Sequence, residues 1–96
     1  MNITLCIPRI ENSTELNYIR TIFSKMNIGH INQMFEIPLR ANVEYKRVMI
    51  QMDINNNDDK GSFILNRLRG GKDVKIVYKN ACYWKVFMGR ENKKTF

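Results

Sequence analysis

The chain is poor in the residues on which most site chemistry depends. Among 96 residues it holds two cysteines, Cys6 and Cys82, two prolines, Pro8 and Pro38, and one histidine, His30. Two cysteines cannot staple a small disulfide scaffold, and as reduced thiols they fit an intracellular compartment, cytoplasm or nucleus. One histidine leaves no paired-imidazole catalysis, and His30, just after Gly29, reads as a structural or solvent-exposed residue. No Cys-x-x-Cys, His-x-x-x-His or acidic triplet offers a metal site, and Asp53, Asp58 and Asp59 lack the spacing of a calcium loop. No glycine-rich phosphate cradle follows a strand pattern, since Gly70-Gly71 leaves a helix instead. No apolar run nears the roughly 20 residues that cross a bilayer. Met1–Ile10 lacks a basic segment followed by a long apolar stretch, so no secretory signal is expected. These absences predict a protein that is not an enzyme, carries no cofactor or metal and does not enter a membrane.

What the chain does have is hydrophobic content, at 44%, and positive charge, at a net +7. The first is enough for one folded domain with one core, and rules out a disordered chain. The second is unevenly spread. Residues 1–59 hold six Lys/Arg and seven Asp/Glu, a balance of −1, whereas residues 60–96 hold ten and two, a balance of +8. Such asymmetry suits a polyanion, most often nucleic acid, although lysines also keep small domains soluble without any partner. Asn, Ile and Lys are abundant, a composition that suits an AT-rich genome and raises the thought of a viral protein.

Periodicity gives the elements. Ile3, Leu5 and Ile7 alternate with Asn2, Thr4 and Cys6, a half-buried strand that Pro8 is expected to end. Residues 12–26 carry Leu16, Ile19, Ile22, Phe23 and Met26 at helical spacing, with Asn12 or Ser13 as candidate cap and Gly29 as candidate stop. A second strand over 30–39 puts Ile31, Phe35 and Ile37 on one face and Asn32, Met34 and Glu36 on the other. Pro38 ends it or marks an edge. Residues 40–44 form a loop. A third strand over 45–53 turns Val48, Ile50 and Met52 inward and Arg47, Met49 and Gln51 outward. The Asn55–Asp59 cluster leads into a short helix over 60–68 with Phe63, Ile64 and Leu68 inward, broken by Gly70-Gly71. Two strand-like runs in 74–88 flank Lys79-Asn80 as a tight hairpin, and a basic, frayed tail follows from Gly89.

The order β-α-β-β-α-β over one domain, 1–96, is the ferredoxin-like order of an α+β sandwich. It predicts a four-stranded antiparallel sheet, ordered 4-1-3-2, with both helices on one face. Within that order Ile19–Ile31, IRTIFSKMNIGHI, resembles the first helix of the RNA-recognition motif family and its exit into the second strand. Ile3–Pro8 and Tyr45–Met52 fall where that family keeps its two short strand motifs, and Asn66–Gly70 resembles the end of its second helix. The resemblance implies the fold and an RNA-binding sheet face. Where the family stacks bases on aromatics of the first and third strands, this chain has Thr4, Arg47 and Met49, none aromatic. It therefore resembles a degenerate member without the stacking rings, and degenerate members often bind proteins.

The candidate site is the outer sheet face: Thr4, Cys6, Arg47, Met49 and Gln51, joined on the last strand by Tyr83, Lys85 and Phe87, with Trp84 turned to the core. Aromatics beside a lysine suit a base and a phosphate, or a protein partner. The basic set adds Lys72, Lys75 and Lys79 around the hairpin, with Lys60, Arg67, Arg69, Arg90, Lys93 and Lys94 nearby in sequence. With the last strand antiparallel to the first, Cys6 and Cys82 are expected as neighbouring thiols. The function expected is a small nucleic-acid-binding module, largely electrostatic with weak sequence preference, RNA favoured over DNA. The alternative is a protein-interaction module, a homodimer through the sheet face.

Overall fold

The computed structural model describes residues Met1–Gly89. It shows an α+β chain: β1 (Asn2–Glu11), α1 (Leu16–Met26), β2 (Gly29–Pro38), β3 (Tyr45–Ile54), α2 (Asp59–Arg69), β4 (Val74–Lys79) and β5 (Cys82–Met88). The strands form one antiparallel sheet in the order β2-β3-β1-β5-β4. The expected count of four is corrected to five. Both arms of the hairpin are strands, and β4 extends the sheet as an outer edge beside β5. No helix among the described residues is long and apolar enough to cross a membrane.

Both helices press on one face of this sheet. Ile3, Leu5 and Ile7 of β1, Val48, Ile50 and Met52 of β3, and Trp84 and Val86 of β5 share a core with Ile19, Ile22 and Phe23 of α1 and Ile64, Leu65 and Leu68 of α2. Trp84 is buried, as its place in the alternation of β5 requires, and it stacks on Tyr78 with ring centroids 4.4 Å apart while Tyr18 meets it edge-on. Phe63, expected inward, is instead 65% exposed. The buried stripe of α2 runs Gly61, Ile64, Leu65, Leu68, a three- and four-residue spacing that leaves position 63 outside it. Gly61 begins that stripe because a Cβ there would collide with the carbonyl oxygen of Asn55.

Two bulges change what the sequence pattern implied. Pro8 does not end β1. Between the pairs Ile7↔Val48 and Ile10↔Lys46, Pro8 and Arg9 together stand opposite Arg47, so the strand absorbs a residue without an N–H and runs on to Glu11. The turn at residues 12–14 then reverses the chain, and α1 starts at Leu16 with Glu15 at its cap, not Asn12 or Ser13. The second bulge lies between Ile31↔Met52 and Gln33↔Gln51 on β2. It reverses the facing of everything after it: Ile31 is buried, but Phe35 and Ile37 stand on the side away from the helices. Gly29 is the first residue of β2, where a Cβ would strike the Asp53 carbonyl, and the helix stop is Asn27, at φ 55°.

One charge sits in the core. Lys46 is 3% exposed, and its Nζ donates to the Thr14 carbonyl at 2.6 Å and to Glu36 Oε2 at 2.8 Å. The ammonium thereby ties β2 and β3 to the turn that launches α1. Because a buried charge is tolerated only when paired, Glu36→Ala should cost about 2–3 kcal/mol. That is less than the loss of a fully buried pair because Glu36 itself reaches solvent. Lys46→Met in the same background should recover most of the loss in urea unfolding. Phe23→Ala, by emptying the centre of the α1 contact, should cost about 3–5 kcal/mol, most of the stability expected of a domain this small.

Candidate functional site

Because side chains alternate along a strand, burial of one set against the helices fixes the other set on the uncovered face. That face carries Thr4 and Cys6 of β1, Arg47, Met49 and Gln51 of β3, and Lys85 and Phe87 beside Tyr83 on β5. The expected face is therefore assembled as one surface. Lys75 of β4 joins it as the direct cross-strand partner of Lys85, and Val77 as the partner of Tyr83. To this the second bulge adds Phe35, opposite Met49, and Ile37, opposite Arg47. These two were expected on the same side as Ile31; the polar pair Asn32-Gln33 followed by the apolar pair Met34-Phe35 breaks the alternation and is the one trace of the bulge in the sequence.

The pairing register defines two different regions. Across the middle of the sheet, Phe35, Met49, Cys6 and Phe87 succeed one another on adjacent strands as one apolar row. Met49 lies flat within it. Its Cε reaches across β1 so far that a Cβ on Gly89 would stand 2.9 Å from it and 3.1 Å from Thr4 Cγ2. Gly89 itself continues the ladder, its N–H donating to the Thr4 carbonyl at 2.7 Å. Toward the β4 edge the surface is cationic and aromatic. Lys75 and Lys85 face each other, and Lys75 Nζ stands 5.4 Å from the centre of the Tyr83 ring. Like charges placed directly opposite destabilise a strand pair, and among the described residues no carboxylate forms an ion pair with either lysine. On β1 and β3, Arg9 lies over the Tyr45 ring at 4.0 Å, a contact that the bulge creates and the alternation pattern hides.

Not every expected residue reaches this surface. Lys72 precedes β4 and Lys79 ends it, so the three hairpin lysines are strung along an edge and only Lys75 meets Lys85. Lys60 and Arg67 are turned to backbone carbonyls, of Met26 at 3.2 Å and Asp73 at 2.6 Å, from the helix side of the molecule. Arg90, Lys93 and Lys94 lie outside the described residues. His30 is exposed at the rim of an open polar groove of about 800 Å³ lined by Asn27, Asp53, Asn56 and Asp58. The described residues include no cluster of three or more His, Cys, Asp and Glu that could hold a metal.

The thiols are not neighbours. Cys6 pairs with Phe87, whereas Cys82 starts β5 five residues earlier, which places it roughly 17 Å away along the strand. The antiparallel pairing was anticipated correctly in direction but not in register, since β1 meets only the far end of β5. Both cysteines are free, Cys6 half-buried and Cys82 exposed. Burial pushes the Cys6 thiol up from its ordinary value, opposed by the nearby Arg47 guanidinium. No protein-family model matches the chain, and no curated protein or solved structure does either.

A raised thiol pKa means less thiolate at a given pH, and the thiolate is the nucleophile. Under limiting iodoacetamide at pH 8, Cys82 should therefore be alkylated well before Cys6. Peptide mass spectrometry reads the order. Equal rates would mean that the middle of the sheet face is open to reagent and that Met49 does not lie across it.

Proposed function

We propose that the chain is a nucleic-acid-binding module that uses the uncovered sheet face and performs no chemistry on its ligand. The observation that carries this reading is the charge and ring content of one surface. Arg9, Arg47, Lys75 and Lys85 stand there beside Tyr45, Tyr83 and Phe87, while of the acids on the same face Asp53 is taken up by the amino terminus and Glu11 stands opposite Tyr45. Cations meet phosphates, and rings accept bases. The excess of positive charge in residues 60–96 adds a field that draws a polyanion from any direction. RNA is the favoured ligand. We set β4 aside and take β2-β3-β1-β5 as a ferredoxin-like sheet. We read β4 as an edge strand added to such a core, of the kind the RNA-recognition motif resemblance suggests. Two free thiols are in keeping with an intracellular setting.

A second reading has its own observation, the apolar row Phe35, Met49, Cys6 and Phe87, flanked by Ile37 at 42% exposure. An apolar strip with Arg47 and Gln51 at its margin is what a protein interface presents, and a homodimer would place it on a two-fold axis. One experiment addresses both. Fluorescence-anisotropy titration against RNA and DNA oligomers at two salt concentrations should show binding that weakens steeply with salt and little with sequence, RNA somewhat tighter. Light scattering of the same samples, with Met49→Asp alongside wild type, covers the other case. Salt-insensitive failure to bind, together with a wild-type dimer that Met49→Asp converts to monomer, would replace the first reading by the second.

A further inference from the structure

The geometry points to the β4–β5 hairpin as a grip for single-stranded nucleic acid, with bases stacked on Tyr83 and Phe87 and phosphates held by Lys75 and Lys85. This inference rests on the nucleic-acid reading above, and adds to it the form of the ligand and the part of the sheet that holds it.

The argument for the hairpin is one of position. Tyr83, Lys85 and Phe87 are alternate residues of β5 on the uncovered face, so the two rings flank one ammonium and lie roughly 13 Å apart. Lys75 brings a second ammonium to the same point from β4, opposite Lys85. Tyr83 is 44% exposed and Lys75 Nζ lies over its ring, 5.4 Å from the centre, so a base reaches that face as the ammonium moves from the ring to a phosphate. Phe87 is half-buried. Two uncompensated lysines forced into register disfavour the strand pair in the free protein. A phosphate above them removes that repulsion, so binding gains what folding loses. Elsewhere on the face the pieces combine less fully: Tyr45 has Arg9 over its ring, but Glu11 stands directly opposite it as a competing anion. Thr4 and Gln51 offer no ring, and Met49 lies across Thr4 toward Gly89. Phe35 and Ile37 on β2 have a single cation beside them, Arg47.

The argument for single strands is one of access. In a duplex each base is stacked on its neighbours and presents only its edges and its backbone. A ring standing on a sheet face can be used only by an unpaired base whose own face is free. An extended strand laid along β5 puts bases on both rings and its intervening phosphates over the two ammonium groups. The recognition is of stacked faces and charge, so it tolerates sequence.

The test is anisotropy with fluorescent single strands of roughly ten nucleotides, within the span such sites cover, against unlabelled single-stranded and duplex competitors, each variant checked by circular dichroism. Wild type should prefer single strands to duplex of equal length by tenfold or more. Tyr83→Ala should weaken binding by about 5- to 150-fold, and Tyr83→Leu, which keeps apolar bulk without a ring, should do nearly the same. Lys75→Gln and Lys85→Gln should each lower the salt slope by about 0.7. Thr4→Ala and Gln51→Ala should bind as wild type does. Single-strand binding that survives Tyr83→Leu, falls equally with Gln51→Ala, or is matched by duplex overturns the hairpin grip and leaves the nucleic-acid reading in place. A wild type that binds no nucleic acid at low salt overturns both.

Discussion

Burial of Ile3, Leu5 and Ile7 beneath two helices is the constraint on which the rest of this structure depends. β1 is the central strand, paired with β3 on one side and β5 on the other. Each of the three side chains removes roughly 1.5–3 kcal/mol worth of apolar surface from water, and the period of two then leaves Thr4 and Cys6 no choice but the opposite face. Through the register Ile3↔Met52, Leu5↔Ile50 and Ile7↔Val48, the same decision passes to β3, exposing Arg47 and Gln51 and leaving Met49 half-covered. Through Leu5↔Met88 and Cys6↔Phe87 it passes to β5, placing Trp84 inside and Tyr83 outside. A slip of one residue in β1 would exchange the core for the candidate site.

The two bulges are where this transmission is edited. At Pro8–Arg9 the extra residue lets a proline sit in a central strand and turns Arg9 onto Tyr45. It also restores the pairing in time for Ile10 and Lys46 to face the helices, and the ammonium of Lys46 finds Glu36 and the Thr14 carbonyl there. At Asn32 the extra residue converts Phe35 and Ile37 from core candidates into surface residues. Edge strands tolerate such insertions most readily, since only one ladder is disturbed. The apolar content of the uncovered face is thus raised by an irregularity in β2 and not by the composition of the central strands.

This explains what could and could not be read in advance. Alternation within a single strand was legible: Tyr83, Lys85 and Phe87 outward with Trp84 inward needed only the period and the rule that a lone tryptophan belongs to the core. So were the buried positions of α1, because a stripe at three- and four-residue spacing has one solution. The bulges were only faintly marked: Pro8 within a strand pattern allowed a bulge as well as a strand end, and at Asn32 the trace is the polar pair Asn32-Gln33 before the apolar pair Met34-Phe35. The start of α1 was not legible, because Asn12 and Ser13 are as good at turns as at caps, and the choice was made by a strand that ran on past Pro8. The partnership of Cys6 depended on the length of β5 beyond its contact with β1, a quantity set by two strands together. The charge of residues 60–96 was visible as a sum, but α2 carries part of it to the helix side, and among the described residues of that range only Lys75 and Lys85 converge on the sheet face.

The two regions of that face bear on partner choice through the shape of a sheet. Adjacent strands in an ordinary twisted sheet rotate by roughly 20–25°, so over the four steps from β2 to β4 the edge strands differ in direction by something near 80–100°. A rigid, flat partner cannot lie against both edges of such a surface. A partner seated on Phe35, Ile37 and Met49 leaves Lys75 and Tyr83 pointing elsewhere, and a strand of nucleic acid following β5 leaves β2 unoccupied. The two regions share Phe87, so a partner covering the apolar row and a strand held along β5 would exclude one another there. The cross-strand lysine pair decides which region is the more informative. An exposed apolar residue on a small protein needs no special explanation, and lysines are what an edge strand such as β4 ordinarily carries, but two of them held directly opposite one another work against the strand pair.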